Sequence, residues 1–254
     1  MCLILFGYRA LADVPLVVAA NRDEFHGRAT EAAGFWDDHP DILAGRDLQA
    51  GGTWLGCTTD GRFAALTNFS HPDDAPREKS RGLLVQDFLA QASDARSYVA
   101  SLRGAEYSGF NLLVFDGDEL VYTSNRELTA SGGCAVDVLK PGYYGLSNAE
   151  LGAEWPKCVQ GAQSLKQITQ RDYTHEDLLE LLSDDSVPPD HQLPSRGRPI
   201  EMERRGAPRF INGEEYGTRA STTLVISDQG IEFSEQSFLA SGRRNGHVCF
   251  DIPR

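Results

Sequence analysis

The chain opens with two short apolar runs, residues 3–8 and 15–20, parted by a break at 10–14 that contains Asp13. Runs of this length with so short a break read as a hairpin of two buried strands. The second run stops at Asn21-Arg22-Asp23-Glu24. In an antiparallel hairpin the end of the second strand returns beside the start of the first, so these four polar residues arrive next to Cys2. Backbone pairing alone therefore ties a thiol to a cluster of charges.

Cys2 directly follows the initiator Met1. Once Met1 is clipped, a thiol and a free α-amine sit on one carbon. The amine, with an ordinary pKa of about 7.7–8.0, takes the thiol proton near neutral pH, so nucleophile and base come from one residue. Arg22 favours a thiolate electrostatically, and Asp23 is suited to hold and orient the α-ammonium. A plainer reading stays open. In it Cys2 is a small apolar residue starting a buried strand, and the tetrad is a polar turn leaving the sheet.

Further motifs follow in order: Gly51-Gly52-Thr53-Trp54-Leu55-Gly56, Leu66-Thr67-Asn68, Tyr144-Gly145-Leu146-Ser147-Asn148 and Tyr216-Gly217-Thr218-Arg219. Together with Met1-Cys2 and the tetrad, they resemble the NRDE family along nearly the whole chain. The resemblance implies an α+β fold, the four-layer αββα sandwich of N-terminal-nucleophile hydrolase type, and kinship with bile-salt hydrolases and penicillin V acylases. Those enzymes use an N-terminal Cys, a following Arg and Asp, two Asn and a late Arg. Cys2, Arg22, Asp23, Asn68, Asn148 and Arg219 are similar in order and local setting. The acylases space their early Arg and Asp more widely than the adjacent Arg22 and Asp23. The resemblance also carries two roles without turnover, haem trafficking and binding of acyl-coenzyme A or lipid.

Turn chemistry and periodicity place the other elements. Asp60-Gly61 and Gly117-Asp118 join hairpins over 53–58 and 62–69, and over 110–115 and 119–124. Ser80 is expected to cap a helix to about residue 91 with Leu83, Leu84, Phe88 and Leu89 on one face, and Ser93 to begin another toward 102. A strand at 142–148 delivers Asn148, and a helix covers 153–170. Thr174 caps a short amphipathic helix carrying Leu178, Leu179, Leu181 and Leu182. Residues 186–208, rich in Pro, Arg and Gly, read as the one long loop. The segments 218–227, 230–238 and 247–252 close the chain as strands. Strands first, helices in the middle and strands last suit an α+β layered sandwich.

At 254 residues, with no internal repeat and no dividing linker, the chain reads as a single domain over 1–254 with a substantial core. No run of eighteen or more apolar residues suggests stable membrane insertion. The apolar start lacks the basic n-region and small-residue cleavage site of a signal peptide. Five cysteines, at 2, 57, 134, 158 and 249, form no C-x-x-C pair and no even disulfide framework. A reducing compartment, most simply the cytoplasm, is expected. A net charge of −13 argues against nucleic acid or anionic membrane as a partner.

The side-chain amides of Asn68 and Asn148 are of the type that donates to the oxyanion formed when a thiolate attacks a carbonyl. Losing one such donor costs about 2.7–4 kcal/mol of transition-state stabilisation; both residues also fit the ordinary strand-end role of Asn. Arg219, ahead of Ser221-Thr222-Thr223, is either a residue that orders the site beneath the nucleophile or one more exposed strand-end Arg. Ligand contacts are assigned to Asn21, Glu24, His26, Trp54, Arg204 and Arg205. Trp36 and Trp54 line a pocket or belong to the core. The arginines at 196, 198, 204, 205 and 209 suit a lid that recognises carboxylates, propionates or phosphates; with Glu201 and Glu203 among them, they equally suit a solvated loop.

Of His26, His39, His71, His175, His191 and His247, none makes a spacing such as H-x-x-x-H, so no metal site is expected. His26, two residues past the tetrad, is a candidate axial haem ligand or supporting base, or simply an exposed loop residue. Gly51, Gly52 and Gly56 lack a phosphate-loop pattern and let backbones pass closely near Trp54. Two functions remain open. One is a hydrolase without a required cofactor, in which the Cys2 thiolate attacks an amide or thioester of a small acyl substrate. The other is a carrier of haem or acyl-coenzyme A on the same fold. Oligomeric state is unassigned.

Overall fold

The computed structural model describes residues 2–69, 77–126, 128–130 and 132–253. The first half of the chain forms β1 (Cys2–Leu11), β2 (Val14–Phe25), β3 (Thr30–Phe35), β4 (Ile42–Asp47), β5 (Leu55–Thr58), β6 (Phe63–Asn68), α1 (Gly82–Ala90), α2 (Ala95–Ser101), β7 (Phe110–Phe115) and β8 (Leu120–Ser124). There follow β9 (Asp137–Val138), β10 (Gly142–Leu146), α3 (Pro156–Thr169), α4 (His175–Leu182), α5 (Ile200–Gly206), β11 (Tyr216–Ser227), β12 (Gly230–Leu239) and β13 (Arg243–Pro253). One compact unit comprises Met1–Gly27, Pro141–Ser147 and Leu151–Arg254; a second comprises Arg28–Lys140 and Asn148–Glu150.

The first unit holds an antiparallel sheet in the order β10-β1-β2-β11-β12-β13. The opening hairpin forms as the apolar runs require, but β2 does not end at the tetrad. It continues to Phe25, because β11 pairs with it from Tyr216 opposite Phe25 to Ser221 opposite Asn21. The tetrad is therefore strand rather than turn: its backbone groups have a partner strand that the local sequence does not announce. Helices α3 and α4 cover one face through Leu3, Leu5, Val17, Ala19, Cys158, Leu165, Leu178, Leu181, Leu182 and Val225. The contact of α3 with β10 is made at backbone distance, since a Cβ on Gly145 would lie 2.4 Å from the Cys158 carbonyl oxygen. Thr174 caps α4 as expected, in a reciprocal capping box with Asp177.

The stretch 186–208 is not one structureless loop. It contains a 3₁₀ turn, Asp190–Gln192, and α5. Glu201 and Glu203 fall in the first turn of α5 and Arg204 and Arg205 in its last, the charge order that complements the helix dipole. Glu203, buried on α5, pairs with the largely covered Arg196.

The second unit holds an antiparallel sheet in the order β3-β4-β5-β6-β7-β8-β9. The hairpins β5–β6 and β7–β8 match the Asp-Gly and Gly-Asp signals. Strands β3 and β4 carry no clean alternation and were not legible from pattern. Helix α1 begins at Gly82 without a side-chain cap, Ser80 contributing its carbonyl to the Leu83 N–H. Helix α2 is capped by Asp94 instead of starting at Ser93, because the Asp94 carboxylate accepts the Ser97 N–H. Trp36 is core, its indole N–H donating to the Ala44 carbonyl, and Trp54 packs against the same apolar cluster.

Candidate active site

Cys2 and Arg22 are register partners at the open end of the β1–β2 hairpin. Successive strand residues face opposite sides of a sheet, so Cys2 and Arg22 share one face while Asn21 and Asp23 turn to the other. The contacts agree. Asn21 Nδ2 donates to the carbonyls of Leu182 (2.9 Å) and Arg209 (2.8 Å), and its Oδ1 accepts the Ser221 hydroxyl at 2.6 Å. The Asp23 carboxylate accepts the Thr218 hydroxyl at 2.8 Å. The adjacency of Arg22 and Asp23 thus serves two environments at once.

Burial governs the electrostatics. Desolvation pushes the Cys2 thiol above its ordinary pKa; the Asp23 charge adds to this, while the Asp23 backbone N–H and the Arg22 guanidinium oppose it. The expected pull of Arg22 on the thiolate exists, but burial outweighs it. Desolvation also raises Asp23, against Lys157, the Thr218 hydroxyl and Arg22. The Cys2 carbonyl is held by the Ser147 hydroxyl at 2.7 Å, which fixes the strand end that carries the thiol.

Arg219 sits where the β2–β11 register slips: Thr218 opposes Asp23 and Ala220 opposes Arg22, leaving Arg219 as the extra residue of a bulge. Bulges re-aim a side chain and recur beside active sites. Its Nη1 donates to the Phe25 carbonyl at 2.9 Å. Burial lowers its pKa and Arg22 adds to the effect, with Glu24 opposing. Glu24 itself accepts the Phe25 N–H at 2.9 Å. His26 places Nε2 3.2 Å from the Gly213 carbonyl, and its Nδ1 is covered with no hydrogen-bond partner among the described residues. Desolvation lowers its pKa.

Three contributors escaped sequence reasoning. Lys157, at the start of α3, is buried; its Nζ donates to the Gly206 carbonyl at 2.9 Å. Desolvation lowers its pKa and the Asp23 charge opposes this, so a buried amine stands within the field of the site. The available signal was a lysine on the apolar face of a helix, beside Cys158, Gly161 and Leu165. Thr218 and Ser221 are the others, and only strand pairing reveals them.

In the second unit, Asn148 Nδ2 donates to the Asn68 backbone carbonyl at 2.7 Å, so the two asparagines named from sequence are joined directly. Arg204 and Arg205 are exposed on α5, and Arg204 forms a two-pronged pair with Asp190 at 2.8 and 2.6 Å. Ser221 also lines a cavity of about 240 Å³ with Leu179, Phe210, Gln236, Phe238 and Arg244. Met1 and His71 lie outside the described residues.

Residues 1–240 match the family model described as Transport and Golgi organisation 2. The chain is 37% identical to the Transport and Golgi organization protein 2 homolog of Bos taurus, over 95% of this chain and 94% of that protein. It is 35% identical to the Homo sapiens homolog, over 94% of each. Among solved structures, a Caenorhabditis elegans N-acylethanolamine-hydrolyzing acid amidase ortholog matches with TM-score 0.52 and 12% identity, covering 88% of this chain and 92% of that one. A mutant conjugated bile acid hydrolase from Clostridium perfringens matches with TM-score 0.51 and 10% identity, covering 99% and 92%. These likenesses show the α+β fold of the N-terminal-nucleophile hydrolases, as the motifs implied.

Proposed function

We propose, from the premise that this chain belongs to the Transport and Golgi organisation 2 family, that it is a cysteine hydrolase of the N-terminal-nucleophile type. The observation that carries the reading is the register pairing of Cys2 with Arg22, next to a buried Asp23 held by Thr218. Once Met1 is removed, the α-amine of Cys2 takes the thiol proton. The thiolate attacks the carbonyl of an amide or thioester, the amine or thiol leaves with that proton, and water releases the acid from the acyl-enzyme. Asp23 anchors the α-ammonium from the helix-covered face, and Arg22 stabilises the thiolate that burial disfavours. Arg219, aimed by its bulge, orders this end of the sheet. The resemblance to acylases assigns the oxyanion to Asn68 and Asn148. No cofactor enters the scheme, and the substrate class is a small acyl amide or thioester.

The two structural relatives named as hydrolases of an N-acylethanolamine and of conjugated bile acids support an acyl amide as the first class to try. The test is hydrolysis of a panel of acyl amides and thioesters by the full chain, by Cys2→Ala and by Cys249→Ala, with intact mass reporting Met1. The expected result is turnover by a protein lacking Met1, lost in Cys2→Ala and kept in Cys249→Ala. Equal turnover in Cys2→Ala, or turnover by protein that retains Met1, overturns the reading.

Carriage of haem or acyl-coenzyme A is the second reading, and His26 is the feature that favours it. With one ring nitrogen on a backbone carbonyl and the other left as an acceptor, His26 has the arrangement common to metal-ligating histidines. Its Nδ1 is covered, so ligation requires the surrounding chain to open. The 240 Å³ cavity is below the roughly 300–1,000 Å³ usual for small-molecule sites. Haem titration of wild type and His26→Ala, followed by absorbance, distinguishes this reading from hydrolysis.

A further inference from the structure

The outer strands of the first unit carry a second set of nucleophilic side chains that the hydrolase reading does not use. On β13, His247 and Cys249 are two residues apart and so share a face. Ser234 on β12 is the register partner of Cys249. The three side chains close a triangle: Ser234 Oγ to His247 Nε2 is 2.7 Å, Cys249 Sγ to His247 Nε2 is 3.5 Å, and Cys249 Sγ to Ser234 Oγ is 3.7 Å. Both sulfur contacts are within reach of a thiol hydrogen bond. The thiol proton thus has two routes to one imidazole nitrogen, direct and through the Ser234 hydroxyl.

Of the five cysteines, only Cys249 is exposed. The other four lie in the interior, where desolvation raises the pKa of Cys2 and Cys134, of Cys57 to about 12 and of Cys158 to about 11. Ser234 is buried, so one member of the triangle is fixed while the sulfur stays open to solvent. Strand β13 is the last strand of its sheet, which leaves the sulfur approachable from the edge. The charged groups around the triangle come from three elements. His175 and Glu176 lie at the start of α4, with His175 within 3.4 Å of Glu232 on β12. Asp251, opposite Glu232, and Arg244 lie on β13.

We propose that Cys249, with Ser234 and His247, is a modification site at which a hydroperoxide oxidises the thiol to a sulfenic acid. His247 Nε2 accepts the thiol proton. The thiolate attacks one peroxide oxygen, an S–O bond forms and the O–O bond breaks. The departing hydroxide takes the proton from the imidazolium and leaves as water. Sulfur loses two electrons to the peroxide, and thiol plus hydrogen peroxide gives sulfenic acid plus water. An exposed thiol without a base reacts slowly at neutral pH; one with an imidazole in contact has both its activator and the proton donor its leaving group needs.

The test treats the full chain with hydrogen peroxide at neutral pH in the presence of dimedone, which traps sulfenic acids, and maps the adduct by mass spectrometry. Cys249 is expected to be labelled before Cys57, Cys134 and Cys158, and about tenfold or more faster in the folded chain than in the same chain in denaturant. His247→Gln and Ser234→Ala are expected to slow labelling severalfold with thermal unfolding unchanged. Labelling of Cys57, Cys134 or Cys158 before Cys249, a folded rate no higher than the unfolded rate, or wild-type labelling in His247→Gln overturns the proposal. Should His247→Gln prove unstable, the comparison of folded with unfolded wild type decides alone.

Discussion

Thr218 donates its hydroxyl to the Asp23 carboxylate across the β2–β11 ladder at 2.8 Å, and the same hydroxyl oxygen accepts the Ile211 N–H at 2.9 Å. One side chain thus secures a buried acid and a backbone donor, immediately before the bulge that sets Arg219. Thr218→Val keeps the shape and removes both bonds. Leaving a buried polar group unsatisfied costs about 1–3 kcal/mol, so urea denaturation is expected to show a loss in that range. Thr218→Ser is expected to recover most of it. A Val variant as stable as wild type counts against the Asp23 contact.

Asn21 is the most heavily bonded member of the tetrad, tied to Leu182, Arg209 and Ser221. It holds α4 and the chain after α5 onto the sheet. These bonds make it a structural anchor, a role the sequence did not announce. Asn21→Ala strands two carbonyls and a hydroxyl, and a destabilisation of about 3 kcal/mol or more is expected from the cost per lost partner. Denaturant midpoints measure it. A shift of under a third of that would show that water or repacking satisfies these groups.

Two ion pairs around α5 are expected to behave differently. Glu203 is buried and Arg196 largely so, and removing one partner of a buried pair costs about 3–5 kcal/mol. Arg204 and Asp190 are exposed, where ion pairs contribute little. Thermal melts should therefore place Glu203→Ala far below wild type and Arg204→Ala beside it. The reverse order would mean that α5 is held by its outer face.

His175 provides a pH signature. Its Nδ1 lies 2.6 Å from the Thr223 hydroxyl, and desolvation lowers its pKa below 6.5, with Glu232 opposing. The fold prefers the neutral ring, so the unfolded chain takes up a proton first as pH falls. This contribution is fully present above 6.5 and is lost as pH drops below that value toward the folded pKa. Urea melts at about pH 7.5 and about pH 5.5 should show wild type losing more stability than His175→Gln. Equal losses would remove His175 as a source of acid sensitivity.

The residues that meet at the hairpin were largely legible, because two apolar runs with a short break can pair in only one sense, and that sense returns the tetrad to Cys2. The joined Asn68 and Asn148 were named together from their motifs. The role of Asn21 was not legible, since its three partners lie more than 160 positions away. Arg204 and Arg205 suited either a lid or a solvated surface while 186–208 read as loop. As the last turn of α5 they complete a helix, and Arg204 is engaged by Asp190.

By itself the sequence determined the elements whose signals are local: the opening hairpin, the Asp-Gly and Gly-Asp turns, the Thr174 cap and the apolar face of α4. It also determined, through ordered motifs, the family and its fold. Tertiary structure alone decided that the tetrad is strand, that Arg219 is a bulge residue, that Lys157 is buried near Asp23 and that Cys249 meets His247 and Ser234. The physical reason is the same in each case. Pairing between distant strands fixes which face a side chain takes, and burial then shifts its pKa; neither is encoded in any short window of residues.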